Sequence, residues 1–293
     1  MAYLLRRPPR RYGAWLTALA LPLLLAVCAK PIALPPLPAA ASGAHLAGKF
    51  IWRDLLTDDV DAAKRFYGGL FGWEFSDVAD GAYAVITHRG RPIGGIVIAE
   101  TKVKVKVSQW VSWLSVPDVD AAARAVRDAG GTVLRGPMDL EGRGRLVVVT
   151  DPQGALLVLA RTTDGDPADA EAGIGDWLWT ELWTHDRDAS LSFYGGLVGY
   201  GVDERDIGDG NAYTVLSAGG TPQAGVVRNP FEQVATHWLP YVRVADPVAV
   251  AQRVTELGGR VLVEPGDERR KGTAAIVADP TGAAFTIQRW PLN

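Results

Sequence analysis

Two carboxylates stand at matching places in two aromatic-rich segments. Asp54 lies in IWRDLLT and Glu181 in LWTELWT. Residues two apart on a β-strand share a face, so Trp52 would lie beside Asp54, and Trp179 and Trp183 beside Glu181. Burial among aromatic rings raises the pKa of a carboxylate, which suits a general base or a ligand anchor. A structural carboxylate that accepts hydrogen bonds from backbone or arginine would explain the same residues.

The segment around Glu181 has the richer set of polar neighbours. Alternation along a later strand points His237, Leu239, Tyr241 and Arg243 toward the same side. In a catalytic interpretation Glu181 is the base, and Tyr241 and Arg243 stabilise an oxyanion. An ion pair between Arg243 and Glu181 would need no ligand at all. The side chains expected to contact a ligand are Trp52, Asp54, Trp113, Trp179, Trp183, His237 and Gln288.

Composition excludes several classes of function. The 293 residues carry 30 Lys and Arg against 33 Asp and Glu, for a net charge of -3. There is no basic field to attract phosphates, so no nucleic-acid partner is expected. Cys28 is the one cysteine, so the folded part has neither a disulfide nor a thiolate for catalysis or zinc binding. The expected partner is a small molecule.

Residues 1–30 have the order of a leader. Arginines precede the apolar stretch 14–29, and a Pro/Ala-rich linker, 31–47, follows. This order predicts export to the cell envelope, with a periplasmic or membrane-anchored protein. The stretch of about 16 apolar residues could be a cleaved signal or a retained anchor in the membrane. Cys28 is a lipidation candidate, although Val27 precedes it where a smaller residue is expected.

The remainder of the chain contains an internal tandem repeat. FYGGL occurs at 66–70 and again at 193–197, and DP-x-GA occurs at 151–155 and again at 279–283. The two motifs recur at offsets of 127 and 128 residues, and a repeat at so nearly constant an offset indicates a duplicated domain of about 125 residues. The predicted domains are residues 48–162 and 175–291.

Each half divides again into two similar units. A strand over 51–57 is followed by a helix that Asp58 and Asp59 cap and that ends at Gly72, and three short strands follow. A second unit repeats this order over 110–160, with strands at 132–134, 145–150 and 155–160. The third and fourth units open at Trp179 and Trp238. The pattern predicts an α+β fold of four βαβββ units.

The ordered motifs W-x-[DE]-L, D-x-x-A, FYGGLFGW and DP-x-GA resemble those of the vicinal oxygen chelate (VOC) superfamily. That superfamily includes glyoxalase I, bleomycin-resistance proteins, fosfomycin-resistance enzymes and extradiol dioxygenases. The resemblance covers residue 48 to the C-terminus and implies two glyoxalase-like, cup-shaped barrels in tandem, each around a small-molecule cavity. It leaves open whether the units pair within each half or across the halves.

The resemblance also implies where a divalent metal ion would be held, by His, Gln or Glu on first strands and Glu on a last strand. Those positions fall on Trp52 and Trp179, Val111 and Leu239, and Val158 and Thr286. None of these side chains offers an imidazole or carboxylate ligand. We therefore expect no metal site and no other cofactor.

Three functions remain open at this point. The first is a metal-independent protein that binds a planar or carbonyl-bearing molecule. The second is a glyoxalase-like lyase or isomerase that moves a proton α to a carbonyl with Glu181 as base. The third is a structural or assembly protein of the envelope. Cups filled by the protein's own side chains would favour the third.

Overall fold

The computed structural model describes residues 33–37, 43–98, 108–206, 212–266 and 272–291. Over these ranges the chain forms two eight-stranded mixed sheets and four α-helices. The predicted leader, with Cys28, lies outside them. Within the same ranges, no helix has the length and apolar character needed to cross a membrane.

The two halves contain the same elements in the same order. The first half has β1 (Phe50–Thr57), α1 (Val60–Phe71), β2 (Glu74–Val78), β3 (Tyr83–His88), β4 (Arg91–Ile98), β5 (Gln109–Ser115), α2 (Val119–Asp128), β6 (Thr132–Leu140), β7 (Gly144–Thr150) and β8 (Leu156–Arg161). The second half has β9 (Trp177–Thr184), α3 (Arg187–Val198), β10 (Gly201–Asp206), β11 (Ala212–Ala218), β12 (Thr221–Arg228), β13 (His237–Val244), α4 (Pro247–Glu256), β14 (Arg260–Val263), β15 (Ala274–Ala278) and β16 (Ala284–Arg289).

The helix ends follow from local chemistry. The Asp59 carboxylate accepts a hydrogen bond from the backbone of Ala62, and an aspartate caps each of the other three helices in the same way. Gly72 and Gly199 end α1 and α3 in the left-handed conformation, with φ of 70° at both. The predicted helix starts and stops are confirmed.

The sheet order answers the pairing question. The strands of the first half lie in the order β2-β3-β4-β1-β5-β8-β7-β6, and the second half repeats this order as β10-β11-β12-β9-β13-β16-β15-β14. The central strands β1 and β5 are antiparallel, and each is parallel to its other neighbour. The units therefore pair within each half, and the predicted α+β fold of four βαβββ units is confirmed.

One strand is longer than its sequence pattern indicates. The alternation around residues 132–134 predicts a short strand, but β6 continues to Leu140. Its pairing with β7 shifts register twice, between Val133 and Arg135 and between Arg135 and Met138. These bulges interrupt the two-residue period, so the pattern hides the second part of the strand.

The two halves share their buried cores. Phe66 and Tyr67 of α1 lie in one continuous cluster with Val254 of α4 and Phe285 of β16. A second cluster joins α2 to α3 in the corresponding way, with Tyr194 inside it. The helical faces are thus buried between the halves, and the opposite sheet faces form the two cups.

Candidate functional site

The first cup is built around Asp54. This carboxylate is only 7 % exposed, and it accepts hydrogen bonds from Trp52 Nε1 (2.9 Å), the Tyr83 hydroxyl (2.6 Å) and Trp113 Nε1 (2.9 Å). Burial raises the pKa of Asp54, against the opposing effects of Arg143 and the three hydrogen bonds. The carboxylate is therefore occupied by the protein's own donors.

The chain's own side chains fill the first cup. The guanidinium carbon of Arg143 lies 4.5 Å from the Trp52 ring centroid, and the residue is 2 % exposed. Leu34 and Leu37, from the predicted linker, pack against the aromatic and aliphatic side chains of the cup and are 8 % and 5 % exposed. The Leu34 backbone N–H also donates to Glu141 O at 3.0 Å. This segment closes the first cup.

The second cup repeats the arrangement around Glu181. The Tyr213 hydroxyl donates to Glu181 Oε1 (3.0 Å), Trp183 Nε1 donates to Oε2 (3.2 Å), and the Tyr241 hydroxyl also donates to Oε2. Trp179 Nε1 donates to the Tyr213 hydroxyl at 2.8 Å. A buried carboxylate that accepts from tyrosine and tryptophan side chains is the shared feature of both cups, with one phenol on Asp54 and two on Glu181.

A glycine in each half makes room for the tyrosine. A Cβ at Gly95 would lie 1.8 Å from the Tyr83 hydroxyl, and a Cβ at Gly225 would lie 2.2 Å from the Tyr213 hydroxyl. Contacts this short cannot be accommodated without displacing the phenol. The sequence reasoning missed all four of these residues. The two tyrosines could have been found from the repeat, because the motif A-Y-x-V occurs at 82–85 and again at 212–215.

The cups differ in how open they are. Trp52 and Tyr83 are buried in the first cup, whereas their counterparts Trp179 and Tyr213 are half-buried. The rim position that holds Gln288 in the second cup is also half-buried. In the first half the β6–β7 turn supplies Arg143; the corresponding residues 267–271 lie outside the described ranges. The second cup therefore presents more of its aromatic wall.

The predicted polar residues of the second cup do not all meet. The Tyr241 hydroxyl reaches Glu181. His237 lies opposite Trp183, two residues along the strand from the position opposite Glu181, with its ring 6.2 Å from the Trp183 ring. Arg243 pairs with Glu171 at 3.4 Å and donates to Ala172 O, so the expected ion pair with Glu181 is wrong.

The physical reason is distance along the strand. Leu239 lies opposite Glu181, so Arg243 is four residues further along β13, about 13 Å away. At about 3.3 Å per residue, His237 and Arg243 are also roughly 20 Å apart along the strand. They lie near opposite ends of the cup.

The metal-ligand positions implied by the VOC resemblance do not fit a metal ion. Val111 lies opposite Asp54, Val158 beside Trp113, and Leu239 opposite Glu181. The hydroxyl of Thr286 is buried with no hydrogen-bond partner among the described residues. The Trp52 indole N–H is shared between Asp54 and the Tyr83 hydroxyl, and that of Trp179 goes to the Tyr213 hydroxyl. Valine, leucine and indole side chains provide no ligand for a divalent ion.

A cavity of about 140 Å³ lies at the edge of the first cup. It is bordered by β1, β4 and the segment that joins the halves, and its lining includes Arg53, Arg91, Glu171 and Trp177. Of the residues expected to contact a ligand, Trp52 lies in this lining.

Comparisons with known proteins agree with this architecture. Residues 44–159 match the Glyoxalase/Bleomycin resistance protein/Dioxygenase superfamily, and residues 179–288 match the Glyoxalase-like domain. The protein named "Putative glyoxylase CFP32" of Mycobacterium tuberculosis is 34% identical over 241 residues, which cover 80% of this chain and 92% of that protein. The "Anthracycline biosynthesis protein DnrV" of Streptomyces peucetius is 32% identical over 254 residues, covering 80% and 91%.

Solved structures share the fold at low sequence identity. The Mn(II)-bound glyoxalase of Novosphingobium aromaticivorans superposes with a TM-score of 0.56 at 16% identity, covering 83% of each chain. The 2,3-dioxygenase LapB of Pseudomonas sp. KL28 gives 0.56 at 14% identity, covering 84% of this chain and 93% of that one. From the matched domains, the relatives and the paired βαβββ cups, we conclude that the chain belongs to the glyoxalase/bleomycin resistance protein/dioxygenase (VOC) superfamily.

Proposed function

We propose that the protein binds a small planar or carbonyl-bearing molecule in its second cup, without a metal ion. The observation that carries this proposal is the pairing of Glu181 with the Tyr213 and Tyr241 hydroxyls beside a half-buried Trp179. Each phenol gives its one proton to Glu181, so its oxygen is left to accept a hydrogen bond from a ligand hydroxyl, and a ligand carbonyl accepts from a phenol by displacing the bond to Glu181. The first cup has a related set, with one phenol and two indoles on Asp54, but it is filled by Arg143 and the 33–37 segment.

The walls of the second cup favour a flat ligand. Phe231 stacks on Trp183 with ring centroids 6.1 Å apart and an interplanar angle of 15°. Half-buried Trp179 extends the aromatic surface along β9. Aromatic side chains gain most from offset-stacked or edge contacts with other rings. Two relatives are named for anthracycline biosynthesis, so an anthracycline is a suitable planar probe.

A catalytic role for Glu181 is the second candidate. Tyr241 donates its one proton to the same carboxylate, and once Glu181 has taken a proton from the substrate this hydroxyl is released to donate to the developing oxyanion. The proton would pass from the carbon α to a substrate carbonyl onto Glu181. Arg243 has no place in this version, because its guanidinium is held by Glu171 and Ala172. The test is turnover of a hemithioacetal of an α-ketoaldehyde by Glu181→Gln: an undiminished rate would exclude Glu181 as the base.

Binding is tested by titrating the purified protein with doxorubicin, an anthracycline, and following tryptophan fluorescence. Tyr213→Phe should weaken binding about three- to tenfold, the range expected when one hydrogen bond is lost. Tyr83→Phe removes the equivalent hydroxyl from the closed first cup and is the matched control. Equal affinities for these two variants would contradict the location. Affinity that falls on treatment with EDTA would contradict metal independence.

We also propose that the protein is exported and stays in the cell envelope, free in the periplasm or held by its first 30 residues. The support is the order of arginines, apolar stretch and Pro/Ala-rich linker. Cell fractionation with a Cys28→Ser variant tests both points. Release of the variant into the soluble periplasmic fraction would support lipidation, and recovery of wild-type protein in the cytosol would contradict export.

A further inference from the structure

The cavity between β1, β4 and the joining segment is lined by a cation, Arg53, that no carboxylate of the described residues neutralises. The guanidinium carbon of Arg53 lies 5.1 Å from the Trp177 ring centroid. Its Nε is buried and has no hydrogen-bond partner among the described residues. Burial lowers the pKa of Arg53 to about 10, so the group stays protonated at neutral pH.

The other charges around the cavity are already paired. Arg91 binds Asp176 at 2.7 Å, and His88 binds the same carboxylate at 2.7 Å. Glu171 faces Arg243 at 3.4 Å. Arg53 is thus the lining cation that no described carboxylate neutralises. Arg53 is half-buried, and an anion bound from outside the chain would neutralise its guanidinium.

The chemistry of the lining narrows the class of anion. A guanidinium presents parallel N–H donors that fit a carboxylate. Trp177, Ile93 and Pro167 provide an apolar wall for an organic body. The carboxylates of Asp176 and Glu171 border the same space and would repel a second negative charge. A volume of about 140 Å³ is close to the roughly 150 Å³ of an apolar cavity that holds benzene.

We propose that this cavity binds a small organic monocarboxylate, with its carboxylate on Arg53 and its body against Trp177. The site is separate from the second cup, because its lining includes none of Glu181, Tyr213 and Tyr241. The proposal for the Arg53 cavity therefore does not depend on the function proposed for Glu181.

Benzoate is the probe for this site, measured by isothermal titration calorimetry on the full chain. Wild-type protein should bind benzoate saturably at one site, and Arg53→Met should weaken binding about tenfold or more. Arg161→Met, at an exposed arginine, is the matched control and should bind as wild type does. If Arg53→Met does not fold, Arg53→Lys is measured instead. Lysine keeps the positive charge but lacks the paired N–H donors of the guanidinium, so Arg53→Lys should also bind benzoate more weakly than wild type.

Two further ligands define the specificity. Benzamide has the same ring without the charge and should not compete, whereas inorganic phosphate should compete poorly because of Asp176 and Glu171. Absence of benzoate binding up to about 10 mM would overturn the proposal. Equal binding by wild type and Arg53→Met, or phosphate that displaces benzoate at equal concentration, would overturn it as well.

Discussion

The hydroxyl of Tyr67 donates a hydrogen bond to Asp279 Oδ2 across the junction between the two halves, at 3.2 Å. Tyr194 makes the equivalent bond to Asp151 Oδ2 at 3.0 Å in the opposite direction. The tyrosines belong to the two FYGGL motifs and the aspartates to the two DP-x-GA motifs. The motifs that reveal the duplication therefore also form hydrogen bonds between the two halves.

This relationship predicts the effect of removing one hydroxyl. Burial raises the pKa of Tyr67 well above its usual value, so it remains a neutral donor at physiological pH. Tyr67→Phe leaves Asp279 short of a partner and should lower the free energy of unfolding by about 1 kcal/mol. Because the core is shared, both halves should unfold in one transition in urea. An exposed control, Thr221→Ala, should have little effect; equal stability of the two variants would contradict the role of Tyr67.

Gly225 should resist substitution because Tyr213 occupies the space of its missing side chain. Gly225→Ala places a Cβ 2.2 Å from the Tyr213 hydroxyl, and overpacking of this kind costs about 1–3 kcal/mol. Displacement of the phenol should also weaken probe binding in the second cup. Gly195→Ala, in α3, has no heavy atom within 4 Å of the new Cβ and should stabilise the helix by about 0.5–1 kcal/mol. Thermal unfolding and the doxorubicin titration compare Gly225→Ala with Gly195→Ala. Equal stability and equal doxorubicin affinity of the two variants would contradict the packing of Tyr213 against Gly225.

His237 should make stability depend on pH. Burial lowers its pKa, so below about pH 6.5 the unfolded chain takes up this proton more readily than the folded protein does. The stabilising contribution is full above that pH and is lost as the pH falls through the folded-state pKa. Urea unfolding from pH 7 to 5 should therefore show a shallower loss of stability for His237→Phe than for wild type. His45→Gln is the control histidine variant; parallel curves for His237→Phe and wild type would contradict the prediction.

Leu37 should contribute to stability although it precedes the predicted first domain. It is 5 % exposed and packs with Trp52, Val111 and Trp113. Leu37→Ala should lower the free energy of unfolding by about 2 kcal/mol or more, as in other core truncations. Leu46→Ala changes a leucine that is 45% exposed and should have little effect. If the two truncations cost the same in urea unfolding, the 33–37 segment does not close the first cup.

Local and periodic signals made most of the fold predictable. Asp59 caps a helix and Gly72 ends it whatever the rest of the chain does, and alternation correctly placed Trp52 and Asp54 on one face. The partners of Asp54 were not predictable in this way, since Tyr83 comes from another strand and Arg143 from a turn. Leu34 and Leu37 were hidden because a Pro/Ala-rich stretch has no periodicity. Arg243 was misplaced because alternation gives the face of the strand on which a residue lies but not its distance along the strand from Glu181.

Native mass spectrometry of the protein purified from its own host tests the central claim most directly. The account predicts that wild-type protein retains a small organic molecule without a metal ion, that Glu181→Gln loses most of it, and that Asp54→Asn keeps it. A stoichiometric metal ion, a protein that carries no organic molecule, or equal retention by wild type and Glu181→Gln would contradict a metal-independent site in the second cup.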